Sequence, residues 1–414
     1  MLKSFFPNPK QFFLSALAWF VVTLFAWYGF ADDLGDKLSL IKIPPVELAE
    51  GERAPFLTAA KVWIYQYIVG AAVLFCIGWL VFGRNKWYIW SVVGTTIIMV
   101  VTYFLVQISV WINTWFGEFF DLIQRALAAP DSISLSEYYV QMATIAKVLM
   151  VSILVRVVFA YFTQHYVFRW RTAMNEYYME NWPKLRHVEG AAQRVQEDTM
   201  RFAGIMEGLG SAFVSSVMTL IAFLPLLWEL SSNVTELPLV GAVNGSMVFV
   251  ALLSAAFGTV LLSVVGIRLP GLEFHNQRVE AAYRKELVYG EDDNSRCQPP
   301  TVADLFGKVR KNYFRLYFNY LYFNVFRFSY LQGANLIPLA VLGPTIVAGT
   351  ITFGIFQQIR NAFSQVENSF QFLVNSWTTI IELISIYKRL KAFESAIDDT
   401  AGEPPPMGTA VEAV

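Results

Sequence analysis

The sequence predicts an all-α, polytopic membrane protein with eight transmembrane helices. Apolar residues fill 56% of 414 positions and charged residues only 15%. The apolar residues also fall in runs of about 20, the length that crosses ~30 Å of hydrocarbon at 1.5 Å per residue. A soluble domain of this size could not dress its surface with so few polar groups. Two cysteines, Cys76 and Cys297, exclude a disulfide scaffold. A formal net charge of −1 leaves no basic field for nucleic acid.

The expected spans follow in order. The first runs from Gln11 to Phe30, too long for a signal-peptide core and with no small-residue cleavage site before Asp32 and Asp33. The second covers Val62 to Phe82, and the third Trp87 to about Asn113. The fourth begins near Tyr138 and reaches Phe162, carrying Lys147 and Arg156. Phe202 to Trp228, Ser246 to Ile267, about Phe318 to Leu342, and Thr345 to about Phe393 complete the eight. Aromatic clusters at Trp87, Tyr88 and Trp90 and at Trp111 and Trp115 fit interface belts.

Several helical signals outrun the membrane. Tyr138 to Trp182 reads as one helix, roughly 67 Å if unbroken. Leu269 to Tyr289 continues the sixth span, with Gly290 a natural stop. Pro299-Pro300 divides the sixth span from the seventh. Long paired helices that overshoot into the cytoplasm are the architecture of ATP-binding-cassette exporter membrane domains, an analogy of fold. The expected organisation is an N-terminal helix and acidic loop (residues 1–60), a transporter domain (61–397) with helical extensions at 163–201 and 268–315, and a disordered tail (398–414).

Lys and Arg set the orientation. Of the 31, 22 fall in segments on the N-terminal side, five on the opposite side and four within spans. Both termini are therefore expected in the cytoplasm, with the acidic loop around Asp32, Asp33, Asp36, Glu47, Glu50 and Glu52 facing outward.

Familiar catalytic apparatus is missing. No phosphate-binding loop occurs, and Gly307-Lys308 is followed by Val and lacks the upstream Gly. There is no HExxH, no paired-cysteine metal spacing, no GxSxG and no dinucleotide fingerprint. His165, His187 and His275 are scattered and read as surface or capping residues. The expectation is no enzyme, no metal, no cofactor and no ATP binding by this chain.

Ionisable groups inside spans are costly, which directs attention to acids. Glu207 is the only charge between Phe202 and Trp228, with no basic neighbour one turn away; it reads as functional. Glu382 is the only charge between Asn368 and Tyr387. Glu273, Glu280 and Glu291 lie at about 0°, −20° and 0° on a helical wheel, one stripe if the helix holds through Gly290. Glu197 and Glu207 share a face only loosely. Two readings stand for the stripe: a cavity wall whose desolvated carboxyls exchange protons, or a solvated face in which Glu280 pairs with Arg284 at i+4. Lys147 and Arg156 either pair with carboxylates on neighbouring helices, the commoner outcome, or snorkel along the bundle, and read as structural.

Three blocks add a resemblance. HYVFRWRTAMNEYYMENWPKLRHVEGAAQRVQEDTMRFA from His165, GIRLPGLEFHNQRVEAAYRKELVYGEDD from Gly266, and NSWTTIIELISIYKRL from Asn375 closely resemble the SbmA/BacA family of bacterial inner-membrane peptide transporters. The likeness runs from LKSFFPNP at Leu2 to about Glu394 and is nearest to the rhizobial branch. It implies a homodimer with an exporter-like membrane core that lacks a nucleotide-binding domain. It implies import, driven by the proton gradient, of antimicrobial peptides, bleomycin-like glycopeptides and peptide microcins, and in rhizobia tolerance of host nodule peptides during symbiosis. Relatives fused to an ATPase share the segment Gln193 to Asp198 and the EAA-type segment Glu280-Ala281-Ala282-Tyr283-Arg284. The family's glutamate ladder maps onto Glu197, Glu207, Glu280 and Glu291, which moves Glu280 and Glu291 toward function. The alternatives are the membrane half of an ATP-driven exporter with a separate ATPase chain, and a structural or lipid-related envelope protein.

Overall fold

The computed structural model describes residues 1–42, 58–188, 190–234, 236–238, 241, 243–293 and 295–399. Glu47, Glu50 and Glu52 of the expected outward loop, and all but the first two residues of the expected tail, lie outside the described residues. The described residues are helical and joined by short turns, with one isolated bridge between Leu237 and Gly241. The long helices are α1 (Pro9–Ala26), α2 (Ala59–Phe82), α3 (Thr95–Ala128), α4 (Leu135–Glu180), α5 (Thr199–Leu230), α6 (Ser246–Gly266), α7 (Leu269–Asp292), α8 (Pro299–Val341), α9 (Phe353–Phe370) and α10 (Trp377–Asp399). Single π-helical turns follow α1 at Trp27–Ala31 and lead into α3 at Ile89–Gly94 and α5 at Arg194–Asp198.

Among the described residues, six helices are long and apolar enough to cross a membrane: Pro9–Leu34, Ala59–Phe82, Ile89–Ala128, Leu135–Glu180, Ala191–Asn233 and Ser246–Gly266. They match the first six expected spans, and the chain is an all-α polytopic membrane protein. The single 46-residue α4 agrees with the helical signal read from Tyr138 to Trp182. The remaining two spans of the expected eight differ. α8 is one unbroken helix, but Lys308, Arg310, Lys311 and Arg315 charge its first half. The segment from Thr345 to Phe393 is not one helix. It is interrupted at Gly349, which takes φ +67, and restarts where the Thr352 side chain accepts from the Ile355 N–H at 3.2 Å. A second interruption falls between Phe370 and Trp377. Gly290 does not end α7, which continues to Asp292, because Cys297 folds back against the face where Gly290 has no Cβ.

The chain forms two compact units. The first comprises Met1–Trp111, Met142–Ser215 and Glu382–Val414. Its core is aromatic. Phe5 stacks on Trp170 with centroids 5.4 Å apart and meets Tyr166 edge-on at 5.5 Å. Tyr166, Trp170, Ala173, Met174 and Tyr178 recur at helical spacing and bury one face of the overshooting half of α4. Ile386, Leu390 and Phe393 do the same on α10, and Phe393 meets Tyr178 at 5.4 Å. Tyr88 is buried in this core and Trp90 stacks on Phe162, so this cluster packs inward more than an interface belt would.

The second unit comprises Ile112–Gln141 and Ser216–Ile381. Ala251, Ser254, Ala255 and Gly258 give α6 a buried face of small residues, which lets neighbouring helix backbones approach closely. Gly258 abuts the Tyr330 ring of α8 so closely that a Cβ would overlap it. α7 and α8 pack through Leu269, Leu272 and Leu316, and their register is fixed by buried Asn312 donating to Asn276 at 3.0 Å. The start of α9 is held by Asp121 and Gln124, which accept from the Gly354 and Phe353 N–H groups at 2.7 Å each. Trp115, expected at an interface, is buried and stacked on Phe119 at 4.7 Å.

Candidate functional site

The six glutamates singled out in the sequence fall into two sets of three. Glu197, Glu207 and Glu382 belong to the first unit, and Glu273, Glu280 and Glu291 to the second.

In the first unit the acids gather around two arginines. The π-helical turn Arg194–Asp198 adds a residue to the entry of α5, a distortion that re-aims side chains. Glu197 accepts from Gln193 at 3.1 Å and pairs with Arg201 at 3.2 Å. The same Arg201 reaches Glu382 of α10 at 3.3 Å, so one guanidinium balances both carboxylates. Glu197, Glu382 and Arg201 are all roughly half-exposed, where each such pair stabilises by only about 0.2–1 kcal/mol.

Two turns of α10 further on, Arg389 grips Asp198 in a two-pronged contact, Nε to Oδ2 at 3.0 Å and Nη2 to Oδ1 at 2.7 Å. Asp198 is buried, at 3% exposure. The hydrogen bonds to Asp198 raise the Arg389 pKa above its ordinary value, against the opposing effect of partial burial. Sequence reading placed Asp198 within a shared segment and did not join it to Arg389. The signal was present as a Glu382, Ser385, Arg389 stripe on one helix face, but its partner lies nearly 200 residues upstream in the chain.

Glu207 is different. It lies ten residues beyond Glu197, about 15 Å along the helix, and is half-buried in the Ala191–Asn233 span. The Ser211 hydroxyl donates to it at 2.7 Å, and no cation among the described residues lies within ion-pair distance. A carboxylate in an apolar helix with a lone hydroxyl donor has its charge only partly compensated.

In the second unit, the continuation of α7 past Gly290 puts Glu273, Glu280 and Glu291 on one helix, so the stripe condition is met. Glu273 and Glu280 are half-buried and Glu291 is exposed. The Glu280–Arg284 pair of the solvated-face reading is not among the ion pairs of the described residues. Glu286, which sequence reading passed over, accepts from the Cys297 N–H at 3.3 Å and lies 3.6 Å from Arg296. Lys147 and Arg156, read as pairing or snorkelling, have no carboxylate within ion-pair distance among the described residues. Both are exposed, and Arg156 donates instead to Ser152 one turn back at 3.4 Å. A long side chain on a lipid-facing helix can snorkel rather than pair. Glu367 of α9, also passed over, is the most buried glutamate described, at 6% exposure.

Comparison with known proteins places these features. The chain is 24% identical over 323 residues to the inner membrane ABC transporter ATP-binding protein YddA of Escherichia coli (strain K12), covering 73% of this chain and 57% of that protein. It is 24% identical over 250 residues to an uncharacterized ABC transporter ATP-binding protein of Synechocystis sp., covering 58% and 36%. It is 24% identical over 252 residues to ABC transporter D family member 2, chloroplastic, of Arabidopsis thaliana, covering 56% and 33%. The chain thus spans about a third to just over half of the length of these relatives. Residues 84–398, which hold all six glutamates, Asp198 and Arg389, match the SbmA/BacA-like family as a whole. The chain is a polytopic membrane protein that belongs to the SbmA/BacA-like family.

Proposed function

We propose that this chain imports peptides of the antimicrobial, glycopeptide and microcin types across the bacterial inner membrane, driven by the proton gradient. The observation that carries this reading is Glu207, a half-buried carboxylate in a membrane-crossing helix whose partner is a hydroxyl rather than a cation. Such a group can hold a proton on one side of a cycle and release it on the other. Each proton moving inward supplies about 2.3 kcal/mol per 100 mV of potential. Two protomers enclose an outward-opening cavity, with Glu207, Glu280, Glu291 and Glu273 as the exchanging acids. Glu197 and Glu382 serve at its cytoplasmic end, where Arg201 balances them. The acidic lining draws in cationic peptides, and the excess of Lys and Arg on the N-terminal side supports cytoplasmic termini. The reading calls on no metal, cofactor or catalytic step.

Purified protein in sealed liposomes tests it. Labelled peptide is expected to accumulate under an imposed pH step and not without one. Glu207→Gln is expected to keep expression and assembly but to lose accumulation. Wild-type uptake by that variant would remove Glu207 from the mechanism.

A second reading is favoured by the relatives, which are named ATP-binding proteins. In it, this chain is the membrane half of an ATP-driven transporter whose ATPase is separate. Co-purification of a stoichiometric ATPase from native membrane supports that reading. Uptake abolished by a protonophore while ATP is held constant counts against it.

A further inference from the structure

The second unit contains a carboxylate network away from the acids discussed so far. Glu367 of α9 faces α6, where Ser254 Oγ donates to its Oε1 at 2.6 Å. The Tyr330 hydroxyl of α8 lies 2.9 Å from the same oxygen. Gln371, at the end of α9, donates to it at 3.3 Å and also donates to the Tyr330 hydroxyl. All four side chains are buried, with Ser254 at 7%, Tyr330 at 6%, Glu367 at 6% and Gln371 at 3% exposure. Ser254 is eight residues into the 21-residue span Ser246–Gly266, about 12 Å from its start and so close to its middle. Gly258, one turn on, supplies the space for the Tyr330 ring.

Charge does not explain the burial. α6 and the Phe372–Asn375 turn carry no ionisable residue. α8 contributes Tyr330 and, a turn away, Arg327; α9 contributes Arg360; both arginines are exposed and neither lies within ion-pair distance of Glu367 among the described residues. The network is held by hydrogen bonds alone.

Its hydrogen count has two solutions. Tyr330 has one proton and two acceptors in reach, Glu367 Oε1 at 2.9 Å and the Ser254 carbonyl at 3.1 Å. With Glu367 ionised, the tyrosine donates to Oε1. With a proton on Oε1, the acid donates to the tyrosine oxygen, and the tyrosine turns its own proton to the Ser254 carbonyl. Ser254 Oγ and Gln371 keep their roles in both states, so each state leaves every member satisfied.

We propose that Glu367 is a proton site near the middle of the membrane and that Tyr330 is its positioning residue, switching its hydrogen bond between α9 and α6 as the proton comes and goes. One proton binds to Glu367 Oε1 from water and one is later released from it; no covalent bond between heavy atoms changes. The coupling of this site to cargo rests on the proton-driven reading above, but its proton occupancy does not.

The test uses the full-length protein in liposomes. Infrared difference spectra between neutral and acid pH are expected to show a protonated-carboxyl band that is lost in Glu367→Gln and shifted in frequency in Tyr330→Phe. Glutamine keeps the shape and most of the hydrogen bonds, so Glu367→Gln is expected to fold. Gradient-driven accumulation by it is expected to fall at least tenfold. A carboxyl band unchanged in Glu367→Gln would overturn the proposal, as would an unshifted band in Tyr330→Phe for the switch. If the band is lost as expected but wild-type uptake ignores the pH step, the proton site stands and the proton-driven reading falls. If uptake follows the pH step and the band survives in Glu367→Gln, the site falls and the reading stands.

Discussion

Arg389→Gln is expected to destabilise the first unit by about 2 kcal/mol, and the figure comes from what it leaves behind. Asp198, 3% exposed, would lose two bonds of 2.7 and 3.0 Å to a cation. A hydrogen bond to a charged group contributes ~1.5–3 kcal/mol, and an exposed ion pair far less. The Arg389 side chain is itself 42% exposed, so water replaces part of what is removed and the total falls toward the lower end. About 2 kcal/mol corresponds to roughly a 30-fold change in the unfolding equilibrium. The assay is a double-mutant cycle with Asp198→Asn, read by denaturant unfolding in detergent micelles. The two changes are expected to couple by 1 kcal/mol or more, on the order measured for residues in contact. Additivity to within about 0.5 kcal/mol would refute the pairing as a source of stability. The arginine also fixes the alkaline limb. Its folded pKa is raised above its unfolded value, so its contribution is complete below the ordinary arginine range and is lost only as pH climbs through the folded value. The coupling is therefore expected to be equal at pH 7 and pH 10, and a loss between them would contradict the assignment.

Three other changes test the packing. Gly258→Ala drives a Cβ into the Tyr330 ring and is expected to cost about 1–3 kcal/mol by overpacking, measured as a lowered unfolding midpoint; restoration by the added change Tyr330→Leu would locate the clash. Asn312→Ala leaves buried Asn276 without its donor at 3.0 Å and is expected to cost about 1–3 kcal/mol, whereas Asn276→Leu with Asn312→Leu should cost less than either single loss. Gly354→Ala meets the Gly117 carbonyl and the Asp121 carboxylate, so the start of α9 should open, read as faster amide exchange at Phe353 and Ile355.

How much of this was legible in the sequence depended on range. The first six spans, the long helical signal of α4 and the break at Pro299-Pro300 were read from local composition, and the structure agrees because apolar length and proline act locally, although α8 starts at Pro299, well before the expected seventh span near Phe318. Gly290 misled, since its value as a helix stop yielded to a side chain, Cys297, packing from the next turn. The last predicted span misled because a helical hydrophobic pattern persists across Gly349 and across residues 371–376, whereas the backbone turns at Gly349 and α9 restarts on the Thr352 cap and the Gln124 and Asp121 acceptors. The site divided in the same way. Glu207 stood out as a lone charge in an apolar stretch, and the structure gives it a hydroxyl partner. Glu367 lies one residue outside the window that singled out Glu382, and Ser254 and Tyr330, its partners, are 113 and 37 residues away. Only the fold could join them.

The glutamates do not behave as one class, and this bears on any ladder of exchanging acids. Glu197 and Glu382 share Arg201, so protonating either removes an ion pair. Glu207 and Glu367 are held by neutral donors, so a proton can arrive without breaking a cationic contact. Asp198 is the extreme of the first class, buried and gripped by two prongs of Arg389. In the first unit, paired acids therefore cluster where α10 meets the entry of α5, and the unpaired acid lies deeper along α5 in apolar surroundings. That order is what the proposed proton path would need at its inner end. In the proposed cycle the ion pairs hold the helices in place, while Glu207, the acid proposed to change charge, lies past them, where losing its charge would remove a desolvation cost rather than add one.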